Sequence, residues 1–517
     1  MVLTLLLLVP ALTGVVLLAV ARTDRAERRG STHAVALAGS AVTLVLTVVA
    51  AVARPGVDLR WVPTLGVRWH LAVDGISVPL LLLTAALTVV VVVHSRGREP
   101  ARDVPGERSA ATFYACILLV ETGALATFLA RDAIVFFVAF EVVLVPMWVL
   151  IGRFGDQHAA EQARADAAGR FVLFTVLGST LMLLGILLVV TRTGTSDLVA
   201  LATARGAGLD HATQVAAAVL LVGGLGIKIP LWPAHSWLPP AHTVAPTAGS
   251  VLLAAVLLKM GTYGIVRVVI PVVPDGFTAV SPYLALVGAV ATVWGGLACL
   301  VERDLKRLVA YSSVAHMGFV ALGLASGTWT GLQAALFGNI AHGVVSALLF
   351  LVVGGLKERW GSADLQVARA ALRDVSPRLG WSLVVGFAAA LGLPGLIGFW
   401  GELLALYAAW QPAGDRPVGV FRAAVVVALL GLGLAAAYAL RVLRLVWVGG
   451  SGERWVTPPQ VGPARDARGR EWAVVALLVA ATVAGGVLPR PLMAATADDA
   501  RTTVGEAGVA GVGGGGR

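Results

Sequence analysis

The chain has little charge and little cysteine for its length of 517 residues. Charged residues make up 13% of the chain, hydrophobic residues make up 58%, and the mean hydropathy is +0.86. This composition excludes an ordinary soluble enzyme, in which about a quarter of the residues are charged. The two cysteines, Cys116 and Cys299, each fall inside an apolar run. They are too few to hold an iron–sulfur cluster, and their positions give no argument for a disulfide.

The chain also lacks a polar stretch long enough for a sizeable soluble domain. The longest, roughly residues 447–470, has too few apolar residues to fold alone. The end of the chain, GEAGVAGVGGGGR, predicts a disordered Gly-rich tail. Its glycines have no flanking strand and helix, so they do not indicate a nucleotide site. Chemistry on a soluble substrate would therefore need another chain.

Long apolar runs fill the sequence instead. A helix that crosses a bilayer needs roughly 20 apolar residues, and about fourteen runs are of this size. They span residues 1–21, 33–53, 77–95, 111–129, 131–152, 168–191, 213–232, 245–270, 281–301, 308–325, 331–355, 380–408, 421–446 and 471–490. The sequence thus predicts an all-α polytopic membrane protein. The first run is interpreted as a retained span, since no basic residue precedes it and no convincing cleavage site follows it.

The basic residues predict the orientation in the membrane. The net charge of +10 is concentrated in the loops, so the lipid bilayer explains it better than nucleic acid does. Most of the basic loop residues follow odd-numbered helices; examples are Arg22, Arg25, Arg96, Arg108 and Arg373. The positive-inside rule then places these loops in the cytoplasm and both termini outside.

Four ionisable residues inside apolar runs are the first candidates for function, because a charge in hydrocarbon is expensive and is functional by default. Glu141 stands about 14 Å along a helix from Asp132 and about 18 Å from Arg153, near the bilayer midplane. Pro146 removes the hydrogen bond that the carbonyl of Val142 would accept. We therefore expect an unpaired backbone carbonyl beside this carboxylate.

The stretch GIKIPLWPAHSWLPPAH places Lys228 beside a broken helix. We expect Pro230 to free the carbonyl of Gly226, and Pro233 to free that of Ile229. Irregular backbone at membrane depth is tolerated only where it is buried in protein or lines a water-filled cavity. Broken helices that carry ionisable groups are typical of transport sites.

Two more charges and a second break complete the set. Lys259 lies near the middle of GSVLLAAVLLKMGTYGIVRVV, and Glu402 follows Pro394 and several glycines in GFAAALGLPGLIGFWGELL. The alternative for each charge alone is a structural ion pair or a snorkelling side chain. Four such charges on four helices favour a transport function.

Histidines and serines lie between these charges in sequence. The spacing of Ser312, Ser313 and His316 places two hydroxyls on or near the face of the imidazole, and His342 has Ser346 one turn later. Their order predicts a proton path from Glu141 and Lys228 to Lys259, then through His316 or His342 to Glu402.

The remaining polar residues have weaker signals. His235 and His242 are separated by Pro239 and Pro240, so a shared helix face is not predicted. Asp132 stands at a helix start, where a capping role is sufficient, although it could also draw protons to a channel mouth. Glu121 has no neighbouring break or base, so packing and function remain equally open for it.

The motifs resemble those of a known family, the antiporter-like membrane subunits of respiratory complex I, over about residues 70–446. The similar stretches are FFVAFEVVLVPMWVLIGRFG, GIKIPLWPAHSWLPPAHTVAPTAGSVLLAAVLLKMGTYGIVR, ERDLKRLVAYSSVAHMG, NIAHGVVSALLFLVVG and GLPGLIGFWGE. Glu402 makes the chain most similar to the M chains of bacterial NADH–quinone oxidoreductases, the counterparts of mitochondrial subunit 4, because the sister subunits usually have lysine there.

The resemblance implies fourteen helices with two inverted five-helix repeats, helices four to eight and nine to thirteen, in which the seventh and twelfth are broken. The implied organisation is N-terminal helices in 1–110, repeats in 111–270 and 281–446, and a loop, last helix and tail in 447–517. It also implies that Glu141 modulates Lys228, that Lys259 is the central relay, and that Glu402 is the terminal site.

The same resemblance places His316 and His342 along the hydrated axis. It implies a subunit of the bacterial plasma membrane that translocates protons with other membrane subunits as partners. NADH, FMN, iron–sulfur clusters and quinone would then belong to partner subunits, with no cofactor in this chain. The alternatives are a subunit of a cation/proton antiporter or membrane-bound hydrogenase, a lone secondary transporter, and a haem-bearing electron-transfer protein.

Overall fold

A computed structural model describes residues 1–21, 29–98, 110–156, 159–367, 370–449 and 466–505. Within these ranges thirteen helices are long and apolar enough to cross a membrane. They are α1 (Val2–Ala21), α2 (Arg29–Ala53), α3 (Ser77–Ser95), α4 (Ala110–Leu129), α5 (Ala133–Gly152), α6 (Glu161–Thr193), α7a (His211–Lys228), α8 (Thr247–Val269), α9 (Pro274–Val301), α10 (Leu305–Ala325), α11 (Trp329–Trp360), α13 (Val418–Val448) and α14 (Gly469–Val487). The Gly-rich tail and most of the predicted loop at 447–470 lie outside the described residues.

The remaining predicted run forms two short helices, α12a (Pro377–Ala390) and α12b (Gly398–Trp410). Each is shorter than the roughly 20 residues that a span needs. Thirteen of the predicted runs therefore correspond to long helices and one to a pair of short helices, and the prediction of an α-helical polytopic membrane protein is confirmed. The two inverted repeats and the division of the chain at 110, 270 and 446 stay predictions.

Two interruptions lie where proline removes backbone donors. After α7a ends at Lys228, the chain passes Pro230 and Pro233 before the short helix α7b (Leu238–Val244). Between α12a and α12b, Pro394 lies between Gly392 and Gly395, whose φ angles are 68° and 89°. Proline cannot donate the helical hydrogen bond, and glycine accepts positive φ without a Cβ clash. Both features end a helix inside the bundle.

Three helices form the centre of the bundle. The buried share of an 18-residue apolar stretch differs from helix to helix. In α8, 94% of this stretch is buried, and in α10 and α11 the share is 89%; in α1, α2 and α14 it is 33%. α8 packs against α7a, α3, α4 and α11, while α10 packs against α9, α11 and α12b. The helices that carry Lys259, His316 and His342 are therefore shielded on most sides.

The central helix α8 is irregular without containing a proline. Two π-helical segments, Leu253–Leu257 and Ile265–Val269, flank an α-helical stretch, Leu258–Gly264. π-segments widen the turn and occur frequently at functional sites. Lys259 lies two residues after the first of them, a feature that the apolar run did not predict.

Two elements outside the bundle were also not predicted. The strands β1 (Gly56–Val62) and β2 (Val67–Ala72) form an antiparallel hairpin in which Asp58 faces His70. A last helix, α15 (Arg490–Val504), packs against α11. The indole Nε1 of Trp329 donates to the carbonyl of Ala497 at 3.2 Å.

Candidate functional site

The centre of the site is Lys259, whose side chain is fully buried within α8. Its Nζ donates to the carbonyl of Ala254 at 2.7 Å, five residues earlier and inside the first π-segment. The same Nζ lies 2.5 Å from Nδ1 of His342 on α11. The π-segment therefore supplies a carbonyl, and the neighbouring helix an imidazole, so that the buried amine has two polar contacts.

His342 lies next to a second histidine, His316. Its ring centroid lies 5.8 Å from that of His316 on α10, with the two planes tilted by 53°. Neither Nε2 atom has a hydrogen-bond partner in the described part of the chain. Each imidazole is thus held by its Nδ1 atom and keeps the other nitrogen available.

His316 connects this pair to Glu402. Its Nδ1 lies 2.9 Å from Oε1 of Glu402, the fifth residue of α12b, which is 9% exposed. A cavity of about 30 Å³ touches His316, His342 and Glu402. That volume is enough for water, since one molecule needs roughly 10 to 15 Å³ of such space.

Glycine makes room for the carboxylate at the α12 interruption. A Cβ on Gly392 would collide with Oε2 of Glu402, and the φ of 68° is unfavourable for any other residue. Gly401 approaches α11 closely, where an added Cβ would meet the Cα of Gly338 at 2.8 Å. The glycines that loosened the predicted helix therefore position Glu402 against α10 and α11.

Lys228 stands apart from this chain of contacts. It is the last residue of α7a and is 2% exposed, and its Nζ has no hydrogen-bond partner among the described residues. The amine lies 5.1 Å from the ring centroid of Phe140 and 5.6 Å from that of Phe171. Aromatic faces attract a cation at this range, so the rings stabilise the charge without fixing its proton.

Glu141 acts on Lys228 without forming an ion pair with it. The charge of Glu141 acts on the amine of Lys228. No oxygen of Glu141, however, lies within 4.0 Å of Nζ of Lys228, the limit for a salt bridge. The Oε1 atom of Glu141 is buried and receives no hydrogen bond from the described chain. The helix is interrupted beside it at Val143, three residues before Pro146.

One expectation about the α7 interruption is wrong. The carbonyl of Gly226 is not free, because it accepts a hydrogen bond from the backbone N–H of Leu231 at 3.0 Å. The next carbonyl, that of Ile227, accepts from Nε1 of Trp237 at 3.0 Å. The chain turns back after Pro230, so that Leu231 and Trp237 satisfy these two carbonyls, which is the usual fate of buried backbone groups.

The predicted serine ladder is also not joined to the imidazole. The hydroxyls of Ser312 and Ser313 both donate to the carbonyl of Val309, at 2.8 and 3.2 Å. No hydrogen bond links either to His316 in the described chain. Serine in a helix commonly bonds back to the preceding turn, so both hydroxyls are used within α10.

The two histidines near α7b occupy different surroundings. His235 precedes α7b and lies beside the rings of Trp294 and Tyr311, with centroids 6.2 and 6.4 Å away. His242 lies in α7b, stacks on Phe350 at 4.5 Å, and is fully buried. Neither of its ring nitrogens has a hydrogen-bond partner in the described residues. Only His242 is close enough to Lys259 for their charges to interact.

Asp132 is a helix cap, as the sequence indicated. Its Oδ1 accepts from the backbone N–H of Ile134 and Val135, at 2.9 and 3.2 Å. Its Oδ2 accepts from the hydroxyl of Ser196 at 2.5 Å. The backbone N–H of Arg68 in β2 donates to the same oxygen at 3.1 Å, so the carboxylate also ties α5 to the hairpin. A role at a channel mouth stays a prediction.

A nearby carboxylate, Asp74, is held by two arginines. Burial alone would raise the pKa of Asp74, but Arg267 and Arg131 outweigh burial and hold the pKa below its ordinary value. Arg131 lies 2.8 Å from Oδ2 of Asp74, and Arg267 also contacts that atom. This cluster joins the start of α3 to α8 through direct ion pairs, in contrast to Lys228.

Two further ionisable residues are buried: Lys306, which was not among the predicted site residues, and Glu121, whose role the sequence left open. Lys306, the second residue of α10, is 3% exposed. Glu121 is fully buried in α4, and neither of its oxygens has a hydrogen-bond partner in the described chain. The structure brings neither one into the chain that starts at Lys259.

The arrangement has the chemistry of a proton relay. Amine, imidazole, imidazole and carboxylate follow one another across α8, α11, α10 and α12b, and each can gain or lose a proton. Histidine readily acts as a shuttle because its two nitrogens can exchange roles. The sequence named all four groups, and the structure orders them as Lys259, His342, His316, Glu402.

Known proteins match this chain over most of its length. The family described as NADH:quinone oxidoreductase/Mrp antiporter, TM, matches residues 130–430. The NADH-quinone oxidoreductase subunit M of Rhodobacter capsulatus is 34% identical over 462 residues, which cover 84% of this chain and 82% of that protein. The subunit M of Rickettsia bellii is 30% identical over 489 residues, which cover 92% and 93%.

Solved structures share the same architecture. A chain of respiratory complex I from Thermus thermophilus with bound NADH superposes with a TM-score of 0.82 at 28% identity, over 97% of this chain and all of that one. A chain of the Mrp complex from Dietzia sp. gives a TM-score of 0.83 at 24% identity, over 97% of each, and so shares the fold. As its motifs predicted, the chain belongs to the family of membrane subunits that NADH:quinone oxidoreductases share with Mrp antiporters.

Proposed function

We propose that this chain is a proton-translocating membrane subunit of an NADH–quinone oxidoreductase. Protons move through the buried Glu, Lys and His residues, driven by electron transfer in other subunits. The observation that carries this proposal is the contact series from Lys259 through His342 and His316 to Glu402. Ionisable residues that touch one another inside a membrane bundle are typical of proton relays.

Lys259 is the central relay in this proposal. Its amine already lies 2.5 Å from Nδ1 of His342, so a proton can pass to the imidazole without a change of fold. Water in the cavity between His342, His316 and Glu402 would complete the path to the carboxylate. Glu402 is then the terminal site, from which the proton leaves toward the side that the loop charges predict to be outside.

Lys228 and Glu141 form the switch. The carboxylate lies beyond salt-bridge distance, and among the described residues the amine contacts the rings of Phe140 and Phe171. A small approach of Glu141 would strengthen the hold of the amine on its proton. A nearby carboxylate favours the charged amine, and burial opposes it. The switch therefore depends on the distance between the two side chains.

Partner subunits would hold NADH, FMN, iron–sulfur clusters and quinone, and this chain would act within the plasma membrane of a bacterium with both termini outside. Relatives named as subunit M of NADH-quinone oxidoreductase support this assignment over that of a cation/proton antiporter or hydrogenase subunit. Purification from native membranes would separate these candidates, since the co-purifying chains differ. A haem protein would show a Soret band in the same preparation.

The test is NADH-driven proton pumping, measured beside NADH–quinone electron transfer in membranes that carry Lys259→Met, with assembly verified. Methionine keeps the length of the side chain but cannot carry a proton. We expect pumping to fall at least about tenfold, since a positioned proton-transfer group typically contributes about 100-fold or more. The control is Arg501→Met in α15, which removes a cation stacked on Trp329 of α11 and should leave pumping normal. Normal pumping by an assembled Lys259→Met complex would refute the proposal.

A further inference from the structure

The distribution of lysine singles out a residue beyond the relay. The chain has 39 lysines and arginines, of which only four are lysine: Lys228, Lys259, Lys306 and Lys357. The first three are 2%, 0% and 3% exposed. Arginine remains protonated in proteins, whereas a buried lysine can release its proton. The rare lysines are therefore concentrated where release of a proton is chemically accessible, and Lys306 shares this position with two residues of the proposed relay.

Lys306 is the second residue of α10 and reaches the end of α7b. Its Nζ donates to the carbonyl of Ala245 at 2.5 Å, and Ala245 directly follows α7b. The charged side chains that act on it are Lys357, Asp156, Asp304 and Glu358. Lys306 thus stands where α7b, α10 and the ends of α5 and α11 meet.

A cavity of about 240 Å³ opens beside Lys306. Asp156, Lys357, Glu358 and His94 also line it. Water occupies about 30 Å³ per molecule in the liquid, so the cavity holds several molecules. Lys357 pairs with Asp156 at 2.5 Å, and the two side chains are 19% and 16% exposed. The cavity lies on the side of the loops that the basic residues predict to be cytoplasmic.

His242 is close to the contact that Lys306 makes with Ala245, and its ring stacks on Phe350 of α11, the helix that carries His342. It stands three residues before Ala245 in α7b, and the charged groups that act on it from other helices are Lys306 and Lys259. Its ring is held by stacking on Phe350, while both nitrogens lack hydrogen-bond partners in the described residues. A stacked imidazole with two unused nitrogens can accept a proton on one and release it from the other.

We propose that this cavity is where protons are taken up, and that Lys306 passes them through His242 to Lys259. The inference rests on the proposed function, because it supplies that relay. A proton leaves Nζ of Lys306 as an N–H bond forms on His242, and the neutral amine takes a replacement from water in the cavity. The imidazolium then releases the proton from its other nitrogen toward Lys259, which passes one to His342.

Lys306 also has a structural role that the test must separate from this one. A cation at a helix C-terminus stabilises the last carbonyls, and the bond to Ala245 does this at the end of α7b. Arginine keeps the positive charge and can donate to the same carbonyl, but it cannot give up a proton. Lys306→Arg therefore preserves the cap and removes the transfer.

The experiment compares Lys306→Arg with Arg307→Lys in membranes that carry the whole complex, with assembly verified. NADH-driven pumping is expected to fall at least about tenfold in Lys306→Arg, since a positioned proton-transfer group typically contributes about 100-fold or more. It should stay unchanged in Arg307→Lys, because the exposed Arg307 pairs with Glu302 and does not line the cavity. Because the larger guanidinium could disturb the fold, Lys306→Gln is made as well and should lose pumping likewise.

The outcomes separate this inference from the function on which it rests. Normal pumping by assembled Lys306→Arg, together with failure of Lys259→Met, would overturn the uptake role and leave the relay intact. Normal pumping by Lys259→Met would refute the relay itself. An equal loss in Lys306→Arg and Arg307→Lys would also overturn the proposal, since it would show that any change at the start of α10 has the same effect.

Discussion

The two broken helices present their charged residues in opposite ways. At the α7 interruption, Lys228 ends the first half helix, lies between Phe140 and Phe171, and has no hydrogen-bond partner in the described chain. At the α12 interruption, Glu402 lies in the second half helix and is bonded to His316. Proline ends the first half helix in both cases, yet only one charge is paired.

The difference shows that a helix break does not by itself determine the environment of a nearby charge. The carbonyls at the α7 break are satisfied by Leu231 and Trp237, so they are not partners for Lys228. The α12 break contains Gly392, which leaves space for the carboxylate of Glu402. Lys228 is consequently open to modulation from a distance, whereas Glu402 is fixed by direct contact.

The sharpest test of this comparison is Lys228→Met. An unpartnered buried polar group costs about 1 to 3 kcal/mol, so the free energy of unfolding should stay equal or increase. Proton pumping should nevertheless fall at least about tenfold, because the amine carries the proton. Thermal unfolding of the purified complex and NADH-driven pumping are measured on the same preparation. Destabilisation by more than 1 kcal/mol would reveal a partner for Lys228 that the structure does not contain.

Glu402 should respond in the reverse way when its partner is lost. Glu402→Ala leaves Nδ1 of His316 without its acceptor and is expected to cost about 1 to 3 kcal/mol. Glu402→Gln keeps an oxygen that can accept from Nδ1, so stability should be close to that of the parent, while pumping falls in both variants. The comparison fails if alanine and glutamine are equally stable in thermal unfolding.

The glycines of the α12 break provide a matched pair. Gly392→Ala and Gly395→Ala both place a Cβ on a residue with positive φ, which costs about 1 to 2 kcal/mol. Only at Gly392 does the added Cβ meet Glu402, whereas Gly395 faces open space. Pumping should therefore fall in Gly392→Ala and stay near normal in Gly395→Ala at similar stability. Equal pumping in the two variants would mean that Glu402 tolerates displacement.

The smallest expected effect is that of Glu141→Gln. The buried Oε1 atom of Glu141 makes no hydrogen bond in the described chain, so the free energy of unfolding should change little. Pumping should fall about a few-fold, because Glu141 acts on Lys228 through its charge and does not contact it. Unchanged pumping would remove Glu141 from the switch and leave Lys228 governed by its aromatic neighbours.

Much of the site was predictable because the membrane makes charge conspicuous. Glu141, Lys228, Lys259 and Glu402 interrupt apolar runs, and no other feature of such runs explains them. The prolines at 230, 233 and 394 likewise stand out against helical sequence. These are local signals, so reading along the chain was enough to find them.

Lys306 and the π-segments of α8 were not predictable in this way. Lys306 sits in ERDLKR, where neighbouring charges suggest a solvated helix start, and only the packing of α7b buries it. The π-segments contain ordinary aliphatic residues, so their widened turns depend on contacts with other helices. The local bonds of Ser312 and Ser313 could be foreseen as an alternative, but the spacing alone did not favour them.

The sequence by itself determined the membrane class, the apolar runs that form the membrane helices, the positions of both breaks and the identity of the ionisable residues in the relay. Each of these follows from hydropathy or from proline chemistry within one segment. Only the tertiary structure decided the order Lys259, His342, His316, Glu402, and the isolation of Lys228. Contacts between helices that are distant in sequence depend on how those helices pack, and no single segment contains that information.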